Sequence, residues 1–116
     1  MRFLTVYRTA ETGVPPTPEK MAAMGQLIGE MTSAGVLLST EGCLPSALGA
    51  RVRLANGKLT TTDGPFTESK EVIGGFALID VKSKDEAIAW TERFLRVAGD
   101  GESEIRQIYE APGPRR

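Results

Sequence analysis

Histidine is absent from this sequence of 116 residues. The chain therefore lacks the usual general base near neutral pH and the commonest metal ligand in proteins. A Ser-His-Asp triad, a Cys-His pair and a histidine-ligated zinc site are all excluded. Any chemistry would have to use the side chains of Asp, Glu, Lys, Tyr, Cys or Ser. We accordingly predict no bound metal ion and no cofactor.

Cysteine, excess charge and long apolar runs are also scarce. The single cysteine, Cys43, excludes an intramolecular disulfide, suits a reducing cytoplasm and is predicted to be a buried, inert thiol. A formal net charge of -1 provides no basic excess for binding a nucleic-acid backbone. No stretch approaches the ~18 apolar residues of a membrane span, and none of signal-peptide length follows Met1. We therefore expect a cytoplasmic protein that contacts neither nucleic acid nor membrane directly.

Periodicity and turn residues predict six strands and two helices. The strands are expected at 2–8, 36–40, 50–54, 58–62, 76–81 and 103–110. Thr17 is an N-cap candidate with Pro18 in the first helical position, and Ser83 with Glu86 forms a capping box for the second helix. Asn56-Gly57 predicts a type I′ hairpin turn.

The spacing of apolar residues predicts which faces are buried. In the first strand Phe3, Thr5 and Tyr7 point one way and Leu4 and Val6 the other, as in a central strand covered on both sides. In the third strand, Val52 and Leu54 are expected to point inward. The predicted buried stripes of the helices are Met21, Met24, Leu27, Ile28 and Met31 in the first, and Ala87, Trp90, Thr91, Phe94 and Ala98 in the second.

The resulting order is β-α-β, a hairpin, then β-α-β. This order predicts an α+β, ferredoxin-like domain with two helices on one face of an antiparallel sheet. The helices leave the other, equally apolar sheet face uncovered, and a second copy of the chain is its simplest cover, so we predict a homodimer. We expect one domain at 1–110 and a flexible tail at 111–116.

The segment from Thr62 to Phe76 is the most unusual part of the sequence, because it concentrates turn-forming, rigid and charged residues between two strands. The Asp63 carboxylate is expected to close an Asx turn before Gly64-Pro65, with a ligand or proton-transfer role as the alternative. Phe66 is interpreted as a core or interface plug, or as a stacking surface. Gly74-Gly75 predicts a bulge or a close backbone approach. The charged residues Glu68, Lys70 and Glu71 form either a solvated loop face or an ion pair lining a cavity.

An ordered set of motifs across most of the chain resembles the YCII-related family and its subgroup named for the Asp-Gly-Pro-Phe motif. The motifs are Glu41-Gly42-x-x-Pro45, Arg51-Val52-Arg53, Thr62-Asp63-Gly64-Pro65-Phe66-x-Glu68-x-Lys70-Glu71, Gly74-Gly75-Phe76-x-Leu78-Ile79-Asp80-Val81 and Asp85-Glu86-Ala87. The resemblance implies a dimeric α/β barrel, in which two ferredoxin-like sheets pack face to face, with a cavity at the barrel mouth. It also implies a catalytic role for Asp63, whose histidine partner this chain lacks, and an association with extracytoplasmic-function sigma factors.

We therefore predict a homodimeric domain that binds a small molecule or a protein partner without a complete catalytic site. One alternative is a dimeric α/β-barrel enzyme that acts on a small organic substrate through Asp63, Glu41 and Tyr7. Another is an accessory protein of a sigma factor. The candidate ligand or cavity residues are Tyr7, Glu41, Asp63, Gly64, Pro65, Phe66, Glu68 and Lys70.

Overall fold

Four strands form an antiparallel sheet, and two further strands pair only with each other. A computed structural model describes residues 1–110, and the predicted tail at 111–116 lies outside the described residues. The sheet has the order β2-β5-β1-β6, which is compatible with the predicted ferredoxin-like arrangement. The elements are β1 (Arg2–Thr9), α1 (Pro18–Ser33), β2 (Leu37–Gly42), a 3-10 turn (Ser46–Leu48), β3 (Ala50–Ala55), β4 (Lys58–Asp63), β5 (Val72–Asp80), α2 (Lys84–Ala98) and β6 (Glu102–Gln107).

The predicted helix starts are confirmed. The Thr17 side chain accepts a hydrogen bond from the backbone amide of Lys20 at 3.1 Å, and Pro18 begins α1. At α2 the amide of Glu86 donates to the hydroxyl of Ser83 at 3.1 Å. The Glu86 carboxylate reaches one residue further back than a standard capping box and accepts from the amide of Lys82 at 2.9 Å.

Both helices cover the same face of the sheet. Phe3 and Ile79 pair across β1 and β5 on that face and are almost completely buried. They share one hydrophobic core with Leu27 and Met31 of α1 and Ala87 of α2. The alternation predicted for β1 is therefore confirmed, with Phe3, Thr5 and Tyr7 toward the helices.

The other face of the sheet has no helix over it within residues 1–110. The register places Leu4 opposite Leu78 and Val6 opposite Phe76 on this side. We call these four side chains the open face. An ion pair between Arg8 and Glu104, with a 3.1 Å separation of nitrogen and oxygen, lies beside them on the same side.

A bulge interrupts β5 at the glycine pair. Tyr7 pairs with Gly75 and Arg8 with Ile73, so Gly74 is the extra residue. A β-carbon on Gly75 would lie 2.7 Å from the carbonyl oxygen of Glu41 in the neighbouring strand. The predicted bulge and close backbone approach are both confirmed, although β5 begins at Val72 and contains the glycines rather than starting after them.

Strands β3 and β4 form an isolated hairpin around the predicted type I′ turn. Asn56 and Gly57 both have positive φ angles, of 52° and 77°. The predicted inward direction of Val52 and Leu54 is wrong, because their exposed fractions are 69% and 68%. The hairpin stands away from the four-stranded sheet, and its apolar side therefore has no opposing layer. The radius of gyration, 16.3 Å, exceeds the roughly 13 Å of a compact 100-residue domain.

Two further predictions of burial are wrong. Met21 lies in the first turn of α1 and is 61% exposed, so the packed stripe of that helix starts only at Met24. Cys43 is also exposed. It follows the end of β2 in a connection where its amide donates to the carbonyl of Gly74 at 2.9 Å. The thiol thus lies on the surface rather than in the core.

Candidate functional site

A cavity of about 310 Å³ lies between the two helices and the sheet. One wall is built from α1 and α2, whose predicted apolar stripes face the sheet across it. The opposite wall is made of β1, β5 and the end of β2. The lining residues include Met24, Leu27, Ile28 and Met31 of α1, Trp90, Thr91 and Phe94 of α2, Thr5 and Tyr7 of β1, Gly75, Ala77 and Ile79 of β5, and Leu37, Thr40, Glu41 and Gly42 of β2. We call this space the ligand cavity.

Small side chains in β5 explain why the two layers leave space between them. Gly75 and Ala77 alternate on the helix-facing side and contribute almost no volume at the centre of the wall. Protein interiors normally fill such space to the density of an organic crystal. Gly75 cannot be enlarged without displacing the Glu41 carbonyl. The open space is therefore a direct result of the small residues Gly75 and Ala77.

Tyr7 lines the ligand cavity with its ring and not with a free hydroxyl. Its ring contacts Phe94 edge to face, with centroids 5.2 Å apart and planes 83° apart. The hydroxyl donates toward the carbonyl oxygens of Gly99 and Asp100, at 3.1 and 2.9 Å. Tyr7 thus ties β1 to the turn after α2, and its proton is already engaged.

Three threonines also line the ligand cavity, and only one of them has an unused hydroxyl. Thr40 donates to the Phe76 carbonyl and Thr91 to the Ala87 carbonyl, both at 2.8 Å. The hydroxyl of Thr5 forms no hydrogen bond with any residue from 1 to 110. It is therefore the polar group of the lining that remains able both to donate and to accept a hydrogen bond.

A second cluster of contacts surrounds Ser46, in the 3-10 turn that precedes the hairpin. The Glu11 carboxylate accepts hydrogen bonds from the amide and the hydroxyl of Ser46, at 2.6 and 2.5 Å. The Ser46 hydroxyl in turn accepts from the amide of Phe66 at 3.1 Å. These bonds to Ser46 lower the pKa of Glu11 below its ordinary value, because they favour the charged carboxylate. We call Glu11, Ser46, Gly64 and Phe66 the Ser46 junction.

The Asp-Gly-Pro-Phe segment belongs to the Ser46 junction. The amide of Gly64 donates to the carbonyl of Gly49 at 2.9 Å, and Gly64-Pro65 is a cis peptide. The guanidinium of Arg51 lies 3.8 Å from the centre of the Phe66 ring and 3.2 Å from the Glu68 carboxylate. Phe66 is half-buried beneath the Arg51 guanidinium and does not line the ligand cavity.

The expected Asx turn at Asp63 is not formed. The Asp63 side chain is exposed and makes no hydrogen bond within the described part of the chain. The residue two positions on is Pro65, which has no N–H to donate, and the next amide, that of Phe66, donates to the hydroxyl of Ser46. Ser46 is separated from Phe66 by two strands, so no local pattern in the sequence predicts that they are bonded. The same is true of Glu11, which the sequence shows only as a loop residue.

The structure brings together two of the predicted site residues. Tyr7 and Glu41 line the ligand cavity, while Asp63, Gly64, Pro65, Phe66, Glu68 and Lys70 do not. Tyr7 contributes its side chain to the lining, whereas Glu41 pairs with Phe76 in the sheet, which places the Glu41 carboxylate on the side of the open face. Sequence reasoning identified Trp90, Thr91 and Phe94 as a buried helix face, but it had no means of separating a filled core from a cavity wall. Thr5 was missed for the same reason.

These features define a two-layer α+β domain with one inserted hairpin and a cavity between its layers. The model of the YCII-related domain matches residues 1–112, so the chain belongs to the YCII-related family. An uncharacterised protein of Rhizobium meliloti (strain 1021) is 42% identical to it over 55 residues, which cover 47% of this chain and 44% of that relative. Within residues 1–110, neither helix has the length and apolar character needed to cross a membrane.

Proposed function

We propose that this protein is a homodimeric binding protein that holds one small, mainly apolar molecule in the ligand cavity. The cavity itself is the observation that supports this function. Its volume of about 310 Å³ falls at the lower end of the roughly 300–1,000 Å³ typical of small-molecule sites. Aromatic and aliphatic side chains dominate its lining, as they do in most such sites.

The polar groups of the cavity indicate the chemical class of the ligand. Thr5 offers one free hydroxyl, whereas the hydrogens of Tyr7, Thr40 and Thr91 are already donated to backbone carbonyls. A compact cyclic or branched hydrocarbon with a single hydroxyl or carbonyl group would satisfy Thr5 and fill the apolar remainder. Such a ligand would leave no buried polar group unpaired.

The enzyme alternative has less support from the geometry. General acid-base catalysis needs a titratable group within hydrogen-bond reach of the reacting atom. Tyr7 has its proton engaged, Asp63 lies outside the cavity, and Glu41 is exposed at the end of β2. Glu41 also pairs with Phe76, so its carboxylate lies on the side of the open face and not in the cavity. A Glu41→Gln variant that still binds ligand but has lost turnover would favour the enzyme alternative.

The open face supports the proposed dimer. Leu4, Val6, Phe76 and Leu78 form a continuous apolar patch that two copies would cover by packing face to face, as in a dimeric α/β barrel. A stable interface of this kind should bury about 1,000 Å² or more in total. Membership of the Asp-Gly-Pro-Phe subgroup, a cytoplasmic location and a sigma factor as partner are further proposals, of which Asp63-Gly64-Pro65-Phe66 supports the first.

Trp90 provides a direct test of ligand binding, because it is the only tryptophan in the chain and lines the cavity. We expect cyclohexanol to change Trp90 fluorescence saturably. Thr5→Val should weaken cyclohexanol binding without affecting cyclohexane. Ala77→Leu, which fills the cavity, should abolish binding of both, while Ala89→Leu on the exposed side of α2 should not. A linear, unsaturable response, or normal binding by Ala77→Leu, would contradict the proposal.

A further inference from the structure

The hairpin is amphipathic, with one polar side and one apolar side. Its register places Val52, Leu54 and Leu59 on a single side, which we call the apolar hairpin face. All three side chains are 68–69% exposed. Arg51, Arg53 and Lys58 lie on the opposite side with Thr60 and Thr62. An amphipathic hairpin with its apolar side in solvent requires a cover from outside the described chain.

The direction of the hairpin is set by contacts at its base. Arg51 is held between the Phe66 ring and the Glu68 carboxylate. Gly64, immediately after β4, is hydrogen-bonded to Gly49 just before β3. The Ser46 junction joins this base to the loop that follows β1. The Asp-Gly-Pro-Phe segment thus anchors the hairpin, which extends from a fixed base.

We propose that the hairpin is a dimer arm whose apolar face packs on a second copy of this chain. An isolated two-stranded hairpin is at best marginally stable in water, so β3 and β4 need a layer to pack against. This inference rests on the proposed homodimer. It assigns to the hairpin a role that the open face alone does not explain.

The area available on the open face points to the second copy as the cover. Its four side chains are already mostly buried against their neighbours within one chain. The small exposed area that they retain falls short of the roughly 800 Å² per partner that a standard interface buries. The exposed leucines and valine of the hairpin provide much of the missing area. If two copies exchange their hairpins across a two-fold axis, both apolar hairpin faces are covered and the assembly closes as a dimer.

The test compares matched variants by sedimentation equilibrium. The arm variant carries Val52→Ser, Leu54→Ser and Leu59→Ser. The control carries Arg53→Ser and Thr60→Ser on the opposite side of the same strands. The face variant carries Val6→Thr and Leu78→Thr. We expect the arm variant to raise the dimer dissociation constant at least about 100-fold, as the loss of central interface anchors does, and the control to change it less than about threefold.

The outcomes separate the arm from the dimer itself. A dimer that the face variant weakens and the arm variant does not would overturn the arm and leave the proposed dimer intact. Weakening by the arm variant alone would support the arm and overturn packing through the open face. A wild-type chain that is monomeric at every concentration would overturn both proposals. The cover of the apolar hairpin face would then have to be a different protein.

Hydrogen exchange of the unmodified protein gives a second measurement without substitutions. Diluting the wild-type protein through its dissociation constant should increase amide exchange in residues 50–63. The pairing of β1 with β6 should change much less, because β1 is paired on both edges and packs on the helices of its own copy. Hairpin exchange that is the same in monomer and dimer would overturn the arm.

Discussion

Gly64 lies directly against the carbonyl group of Ser46. A β-carbon on Gly64 would overlap the Ser46 carbonyl oxygen and would lie 2.6 Å from its carbonyl carbon. Both partners are backbone atoms, so no flexible side chain can move aside. The glycine of the Asp-Gly-Pro-Phe segment is therefore required by close contact with a second loop, and the two loops form one rigid unit.

The first prediction concerns this contact. Gly64→Ala should destabilise the protein by about 3 kcal/mol or more, because overpacking against the backbone forces the two loops apart. Gly25→Ala is the matched control, because Gly25 lies within α1 and a β-carbon there would meet nothing within 4 Å. It should stabilise the protein by about 0.5–1 kcal/mol. Urea unfolding of both variants provides the comparison, and equal midpoints would refute the close contact.

The second prediction concerns the pH dependence of stability through Glu11. Because the folded state has the lower pKa, the unfolded chain takes up the proton first as the pH falls. The contribution of Glu11 is thus fully present above its ordinary value of 4.5 and is lost as the pH falls through the folded pKa. Glu11→Gln should have a shallower loss of stability in acid than the wild type, measured by urea unfolding between pH 6 and pH 3.

Two other groups provide the comparison for Glu11. Ser46→Ala removes the hydroxyl that donates to the Glu11 carboxylate. The double variant with Glu11→Gln should therefore lose less free energy of unfolding than the sum of the two single losses. Arg106 and Arg8 lower the pKa of Glu104. Its contribution to the loss of stability in acid should therefore persist in both variants. Strict additivity of the two substitutions would show that the carboxylate and the hydroxyl act independently.

The third prediction separates structure from chemistry at Tyr7. Tyr7→Phe removes the bonds to the carbonyls of Gly99 and Asp100 but keeps the ring against Phe94. It should reduce the free energy of unfolding by about 0.5–1.5 kcal/mol and leave cyclohexanol affinity unchanged. A variant with wild-type stability and lost binding would instead place the hydroxyl in contact with the ligand.

The fourth prediction concerns the exposed thiol. Cys43 should react with Ellman's reagent in the native protein, to one thiol per chain and without denaturant, because its side chain is on the surface. Cys43→Ser should show no reaction and should unfold at the same urea concentration as the wild type. A thiol that reacts only after unfolding would contradict the exposure.

Features with a local cause were predictable from the sequence. Thr17 before Pro18 and Asn56 before Gly57 define a helix start and a turn through residues that are neighbours in the chain, and both form as expected. The order of strands and helices, and hence the ferredoxin-like layering, follows from such signals and from the spacing of apolar residues.

Features that depend on distant parts of the chain were not predictable. Alternation in β3 marks Val52 as apolar on one side, but alternation does not say whether any layer lies opposite. The amide of Phe66 donates to Ser46, which lies far from it in the sequence, and Cys43 is exposed because it lies in a surface connection after β2. The cavity arises from missing volume at Gly75 and Ala77, which no pattern of hydrophobic residues reveals.

The position of β1 at the centre of the sheet has a consequence for biosynthesis. Arg2 pairs with Asp80 and Phe3 with Gln107, so β1 is synthesised well before both of the strands that it pairs with. At about 5–20 residues per second, β1 spends several seconds with both backbone edges unpaired. During that time the nascent chain presents an apolar strand that other unfinished chains can pair with. The hairpin, whose strands are adjacent in sequence, completes its own pairing long before β1 does.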